Sequence, residues 1–73
     1  MFYLYKKENC IWCKKAEELL QEKNLPYTSY MLNVDYTKEE LKLKVDKVPL
    51  TVPQIWNDDK YIGGCTELME YLK

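Results

Sequence analysis

Hydrophobic and polar positions change their period along the chain, and each change marks an element. Residues 2–6, Phe-Tyr-Leu-Tyr-Lys, form an aromatic and apolar run without a breaker, which predicts a strand. From 11 to 23 the spacing becomes helical, with Trp12, Ala16, Leu19, Leu20 and Lys23 on one side and charges elsewhere. Asn24 supplies a stop and Pro26 confirms it. A second strand is predicted over 27–32. A second helix follows over 37–46, capped at Thr37, with Glu39 and Glu40 in the first turn where the dipole favours acids. Pro49 and Pro53 bracket a loop, and strands over 54–57 and 60–63 flank a turn at Asn57-Asp58-Asp59. Gly63-Gly64 breaks the last strand, and a final helix over 66–72 turns Leu68, Met69 and Leu72 inward. The order opens with a βαβ unit, which places two strands in parallel through a right-handed crossover, and closes with a hairpin and a helix. It predicts an α/β fold, a four-stranded mixed sheet flanked on both faces by three helices.

Composition narrows the class. A chain of 73 residues makes one domain, 1–73, near the lower limit for a self-sufficient core. Apolar residues make up 47% of it, which argues against disorder. The net charge is −1 and the lysines alternate with acids, as in Lys38-Glu39-Glu40-Leu41-Lys42, the pattern of a solvated helix face. That leaves no electrostatic footprint for nucleic acid. No apolar run approaches the roughly 20 residues of a membrane span. In Met1-Phe2-Tyr3-Leu4-Tyr5-Lys6-Lys7 the charges follow the apolar stretch, the reverse of a signal peptide. The expectation is a cytoplasmic monomer, with no nucleic-acid or membrane partner. The 3 cysteines are an odd number, too few to staple a secreted fold.

Cys10-Ile11-Trp12-Cys13 sits between the first strand and the first helix, and that context points to redox chemistry. Cys10 lies where unpaired backbone N–H groups and the helix dipole stabilise a thiolate, and Lys7, Lys14 and Lys15 add positive charge. Cys13, one turn on, is within reach of a disulfide and is expected to be the more buried. Cys10 then attacks and Cys13 resolves the mixed disulfide. The alternative, half of a zinc site, lacks ligands: there is no His, and Cys65 is the one thiol left over. Two further segments bear on substrate. Before Pro53, Val52 is pushed to extended backbone, and a cis turn there would leave its backbone free to pair with an extended peptide; or else Pro53 merely starts an edge strand. At Gly63-Gly64-Cys65-Thr66-Glu67, glycines allow close approach and the helix start can take a carboxylate on the N–H groups of Cys65 and Thr66. The alternative there is a plain turn capped by Thr66, with Cys65 a small buried hydrophobe. Trp12 projects outward beside Cys10, or packs into the core. Trp56 and the tyrosines are core and sheet-surface residues.

The three segments Cys10-Ile11-Trp12-Cys13, Thr51-Val52-Pro53-Gln54-Ile55-Trp56 and Ile62-Gly63-Gly64-Cys65, in this order and spacing, resemble the glutaredoxin family over essentially the whole chain. The resemblance implies a thioredoxin-like fold and a glutathione-dependent thiol–disulfide oxidoreductase, with glutathione as reducing substrate and no metal. It implies that Pro53 is cis. It assigns Thr51 and Val52 to the glutathione backbone, Lys7 to the glycyl carboxylate, Cys65 and Thr66 to the γ-glutamyl end, and Glu67 to the γ-glutamyl amine. Trp12, Pro53 and Gly64 complete the expected glutathione site. Its implied partners are disulfide-containing proteins, ribonucleotide reductase among them. Two departures stand out: Ile11-Trp12 replaces the Pro-Tyr common in dithiol members, and Leu50 stands where many carry Arg, with Lys47 near enough to compensate. Alternative readings are a redoxin reduced by thioredoxin reductase, and a carrier in which two chains share an iron–sulfur cluster through Cys10 and glutathione.

Overall fold

The computed structural model describes residues 1–46 and 50–73. Its elements follow in the order β1 (Phe2–Lys6), α1 (Ile11–Glu22), β2 (Tyr27–Met31), α2 (Lys38–Lys44), β3 (Gln54–Asn57), β4 (Lys60–Gly63) and α3 (Cys65–Tyr71). The strands lie in the order β2-β1-β3-β4. β1 runs parallel to β2 and antiparallel to β3, and β3 is antiparallel to β4. The mixed sheet with three helices expected from the sequence is therefore present.

Alternation along β1 divides the interior. Phe2 and Leu4 point to one face, where Ala16 and Leu20 of α1, Ile55 of β3, and Cys65 and Leu68 of α3 close an aliphatic core. Tyr5 points to the other face, where Tyr36, Leu41 and Val45 are buried with Tyr30 and Trp56 packed against them. The rings of Tyr36 and Trp56 both meet Tyr5 edge-on. Local chemistry sets the element ends. Asn24 adopts φ 54°, and the Leu25 N–H returns to the Leu20 carbonyl, closing α1 with a left-handed cap. Thr37 and Glu40 form a reciprocal capping box that starts α2. Asp58, at φ 54°, makes the β3–β4 turn.

Several expected boundaries move. β2 ends at Met31, and Leu32 joins Tyr36 through an isolated bridge. α2 stops at Lys44, because Val45 turns to extended backbone as it buries its side chain. α1 ends at Glu22, and its buried stripe is Cys13, Ala16 and Leu20; Lys23 is the cap and stays in water. α3 starts at Cys65 and not at Thr66, and it ends at Tyr71. Consequently Met69, expected to face inward, is 54% exposed, while Leu68 carries the core contact. The expectations for Lys47 and Pro49 lie outside the described residues.

Candidate active site

The C-terminal end of β1 feeds directly into the first turn of α1. Asn9 takes φ 54°, a left-handed turn that asparagine tolerates better than most residues. It places Cys10 as the N-cap in extended backbone, with φ −112° and ψ 103°. The Cys10 sulfur thereby lies back over the helix end and accepts the Cys13 N–H at 3.2 Å. No acid occupies the first turn of α1, so the positive end of its dipole faces this sulfur alone. Cys13 is bonded to Cys10 as a disulfide, with their Cα atoms 5.3 Å apart. Cys10 is half-buried, whereas Cys13 is only 2% exposed. On reduction the same amide and dipole favour the Cys10 thiolate over that of Cys13.

One distant loop reaches this sulfur, and a second lines the cleft next to that loop. The Val52 carbonyl oxygen lies 3.9 Å from Cys10 Sγ, across a sequence separation of 42 residues. The Val52–Pro53 peptide is cis. A buried glutamine that the sequence reading passed over holds this loop: Gln54 Nε2 donates to the Thr51 carbonyl at 2.7 Å, and the Tyr61 hydroxyl donates to Gln54 Oε1. The second loop is the β4–α3 turn. Gly63 has φ 121°, and a Cβ there would sit 3.0 Å from Glu67 Cγ. Gly64 is the N-cap, and its N–H donates to Glu67 Oε1 at 2.7 Å. Thr66, weighed above as the cap, is instead inside the first turn, because the helix begins one residue earlier.

Together these loops shape a cleft of about 200 Å³ lined by Trp12, Thr51, Val52, Pro53, Gly64, Cys65, Thr66 and Glu67. Trp12 is 52% exposed, with the Lys15 ammonium 4.9 Å from its ring centre. It projects outward, so the core alternative fails. Cys65 is buried behind the cleft. Burial pushes its thiol above the usual range, Lys15 opposes that rise and Glu67 adds to it. Across Thr51 and Val52 a second cleft, of about 320 Å³, brings Lys7 together with Tyr36, Lys38 and Leu50. Lys38 carried no motif that sequence could read, since only the docking of α2 against the loop before β3 brings it there. Lys7 also shares with Lys14 a groove beside Cys10 and Cys13. Glu17 lines that groove too, where it pairs with Lys6 at 3.0 Å and accepts the Tyr27 hydroxyl at 2.9 Å. Among the described residues, no group of three His, Cys, Asp or Glu side chains could hold a metal ion. No described helix is long and apolar enough to cross a membrane.

Comparison with known proteins bears on this arrangement. The Glutaredoxin family model matches residues 3–62. Glutaredoxin 1 of Rickettsia conorii is 36% identical over 72 residues, a match covering 96% of this chain and 70% of the relative. The crystal structure of glutaredoxin 1 from Francisella tularensis, complexed with cacodylate, superposes with a TM-score of 0.81 at 27% identity and covers 97% of this chain and 90% of that one. The buckwheat glutaredoxin–glutathione complex shares the fold, with a TM-score of 0.83 at 23% identity over 97% of this chain and 66% of that one.

Proposed function

Since the chain belongs to the glutaredoxin family and is an oxidoreductase with a disulfide-forming Cys10–Cys13 pair, we propose that glutathione drives it and that the two clefts flanking Val52 hold that tripeptide. The observation that carries the reading is the position of Cys10 Sγ, between the α1 amide it accepts and the Val52 carbonyl. In this reading the glutathione backbone pairs with Val52 in strand fashion beside Thr51 and Pro53. Its γ-glutamyl carboxylate meets the N–H groups of Cys65 and Thr66 at the start of α3, next to Gly64 and Trp12. Glu67 faces the γ-glutamyl amine while one of its oxygens stays on the Gly64 N–H. The glycyl carboxylate goes to Lys7, and Lys38 adds a second cation there. The buckwheat glutaredoxin–glutathione complex, which shares the fold, supports this use of it.

This seating decides which sulfur is attacked. A glutathionyl group lying along Thr51-Val52 offers its own sulfur to Cys10. The Cys10 thiolate attacks that sulfur, the disulfide breaks, and the client leaves as a thiolate that takes up a proton. A second glutathione thiolate then attacks the glutathionyl sulfur on Cys10, giving glutathione disulfide and free Cys10. With a protein disulfide, Cys10 forms a mixed disulfide with one client sulfur. Cys13 then attacks Cys10, the client leaves as a dithiol, and the Cys10–Cys13 disulfide forms. Two glutathione molecules reduce it, leaving as one glutathione disulfide. The proposed setting is a single-domain cytoplasmic monomer acting on protein disulfides, with ribonucleotide reductase a client to test.

The test is glutathione-coupled reduction of a glutathionylated peptide. Wild type and Cys13→Ser should both turn over, and Cys10→Ser should not. Reduction by thioredoxin reductase, with none by glutathione, would reject the proposal.

A further inference from the structure

α1 and α3 lie side by side on one face of the sheet, and their inner sides close over Ala16, Leu20 and Leu68. Their outer edges leave a second groove, of about 330 Å³, with Leu19 and Met69 in its lining. Trp12 and Cys65 line both this groove and the cleft beside Val52, so the two adjoin. Along the α1 wall stand Lys15, Glu18 and Glu22. Lys15 already sits over the Trp12 ring, which leaves Glu18 and Glu22, one turn apart, as the exposed charges further along.

Length separates this groove from the glutathione site. From Trp12 to Glu22 the helix rises about 15 Å at 1.5 Å per residue. An extended tripeptide spans at most about 10 Å, and glutathione already occupies the cleft at Thr66 and Glu67 in the reading above. With glutathione in the cleft, only a longer chain on the client's side of the mixed disulfide reaches along this groove. Met69, exposed and unbranched, can adapt to side chains of differing shape.

Resting on the glutathione-linked reading of the site, the geometry points to the α1–α3 groove as the docking track for the protein client. It receives the extended segment flanking the client's reacting cysteine, an apolar side chain against Leu19 and Met69 and a basic one facing Glu18 and Glu22. The groove therefore selects among protein clients, and small disulfides do not use it.

Three glutathionylated substrates test this with the full chain: cysteine alone, a ten-residue peptide with Leu and Arg beyond its central cysteine, and the same peptide with Ser and Glu there. Wild type should show a KM about tenfold lower for the Leu/Arg peptide than for the Ser/Glu peptide. Met69→Glu should remove that preference and leave turnover of glutathionylated cysteine within about twofold, as a surface change far from the reacting atoms does. Glu18→Lys with Glu22→Lys, at exposed positions, should turn the charge preference around. Equal KM for both peptides in wild type, or variants that alter the cysteine substrate and the peptides alike, would overturn the docking track. Those outcomes leave the glutathione reading standing as long as glutathionylated cysteine is reduced; its failure to react would sink that reading and the track with it.

Discussion

Two strand-to-helix turns lie on the same side of this sheet, and each begins its helix with a cysteine. After β1, Cys10 is the N-cap of α1; after β4, Cys65 is the first residue inside α3. That single step changes their chemistry. At the cap, the side chain folds back toward the free amides, accepts the Cys13 N–H and stays half-open to solvent. One residue later the side chain joins Leu68 in the core, where Cys65 is 5% exposed and its thiolate is disfavoured by burial. The caps differ accordingly. The first turn uses the reactive sulfur itself as acceptor. The second uses Gly64 with the Glu67 carboxylate and frees its cysteine from that task. A cysteine at a helix start is thus not enough for reactivity; the position relative to the cap decides.

Breaking this contrast gives four expectations, in falling order of effect. Cys10→Ser should lower kcat/KM for a glutathionylated peptide by about a thousandfold or more, because Cys65 cannot take over from the core. With both proteins kept reduced, its unfolding midpoint in urea should barely move, since serine also caps a helix well. Substantial residual activity would mean that the two turns are interchangeable. Gly63→Ala comes next. It forces a Cβ into a positive-φ site 3.0 Å from Glu67 Cγ, at a cost of about 1–3 kcal/mol in urea unfolding. Asn9→Gly, at the matching position of the other turn, should be close to neutral, and equal losses at both would erase the distinction. Glu67→Ala removes the carboxylate from the Gly64 N–H and should cost about 1 kcal/mol, read as a lower unfolding midpoint. A loss of nothing would show that water caps this turn equally well.

The smallest effect is one of pH. The unfolded Cys65 thiol ionises near its ordinary value of 9.0, and the folded one does so higher because burial opposes the charge. Above that value the unfolded chain gives up a proton that the folded chain keeps. The contribution to stability is therefore whole below about pH 9 and fades as pH climbs toward the folded value. Thermal melts of wild type and Cys65→Ala across that range should differ in slope in that direction. Parallel slopes would mean the thiol is not held in the core. The same sign applies to Tyr36, whose hydroxyl burial pushes from 10.0 up to about 12 as it donates to the Lys6 carbonyl.

Much of this architecture was legible in the residue order. Every element appears where the period changes, and the Thr37 cap, the Asn24 stop and the Asp58 turn follow from side chains that act on their own backbone neighbours. The errors fall where burial overrides a local pattern. Met69 shares the apolar spacing of Leu68, yet once α3 starts at Cys65 the helix can turn only one of them to the sheet. Lys23 extends the predicted face of α1 but falls beyond its last turn. Gln54 looked like one strand residue among others, and only the fold reveals it as the clamp on the Thr51 carbonyl.

By itself the sequence determined the strand–helix alternation, the i, i+3 pairing of Cys10 with Cys13, and the glycines that a sharp turn into α3 demands. Each is a short-range matter of hydrogen bonding, helical spacing or allowed φ. Tertiary structure alone decided that Val52 would stand beside Cys10, that Lys38 would join Lys7, and that Cys65 would be sealed inside. Those outcomes depend on the register of β1 against β3 and on which helix faces the sheet. Such contacts join residues dozens of positions apart, and no local rule along the chain sets their distance.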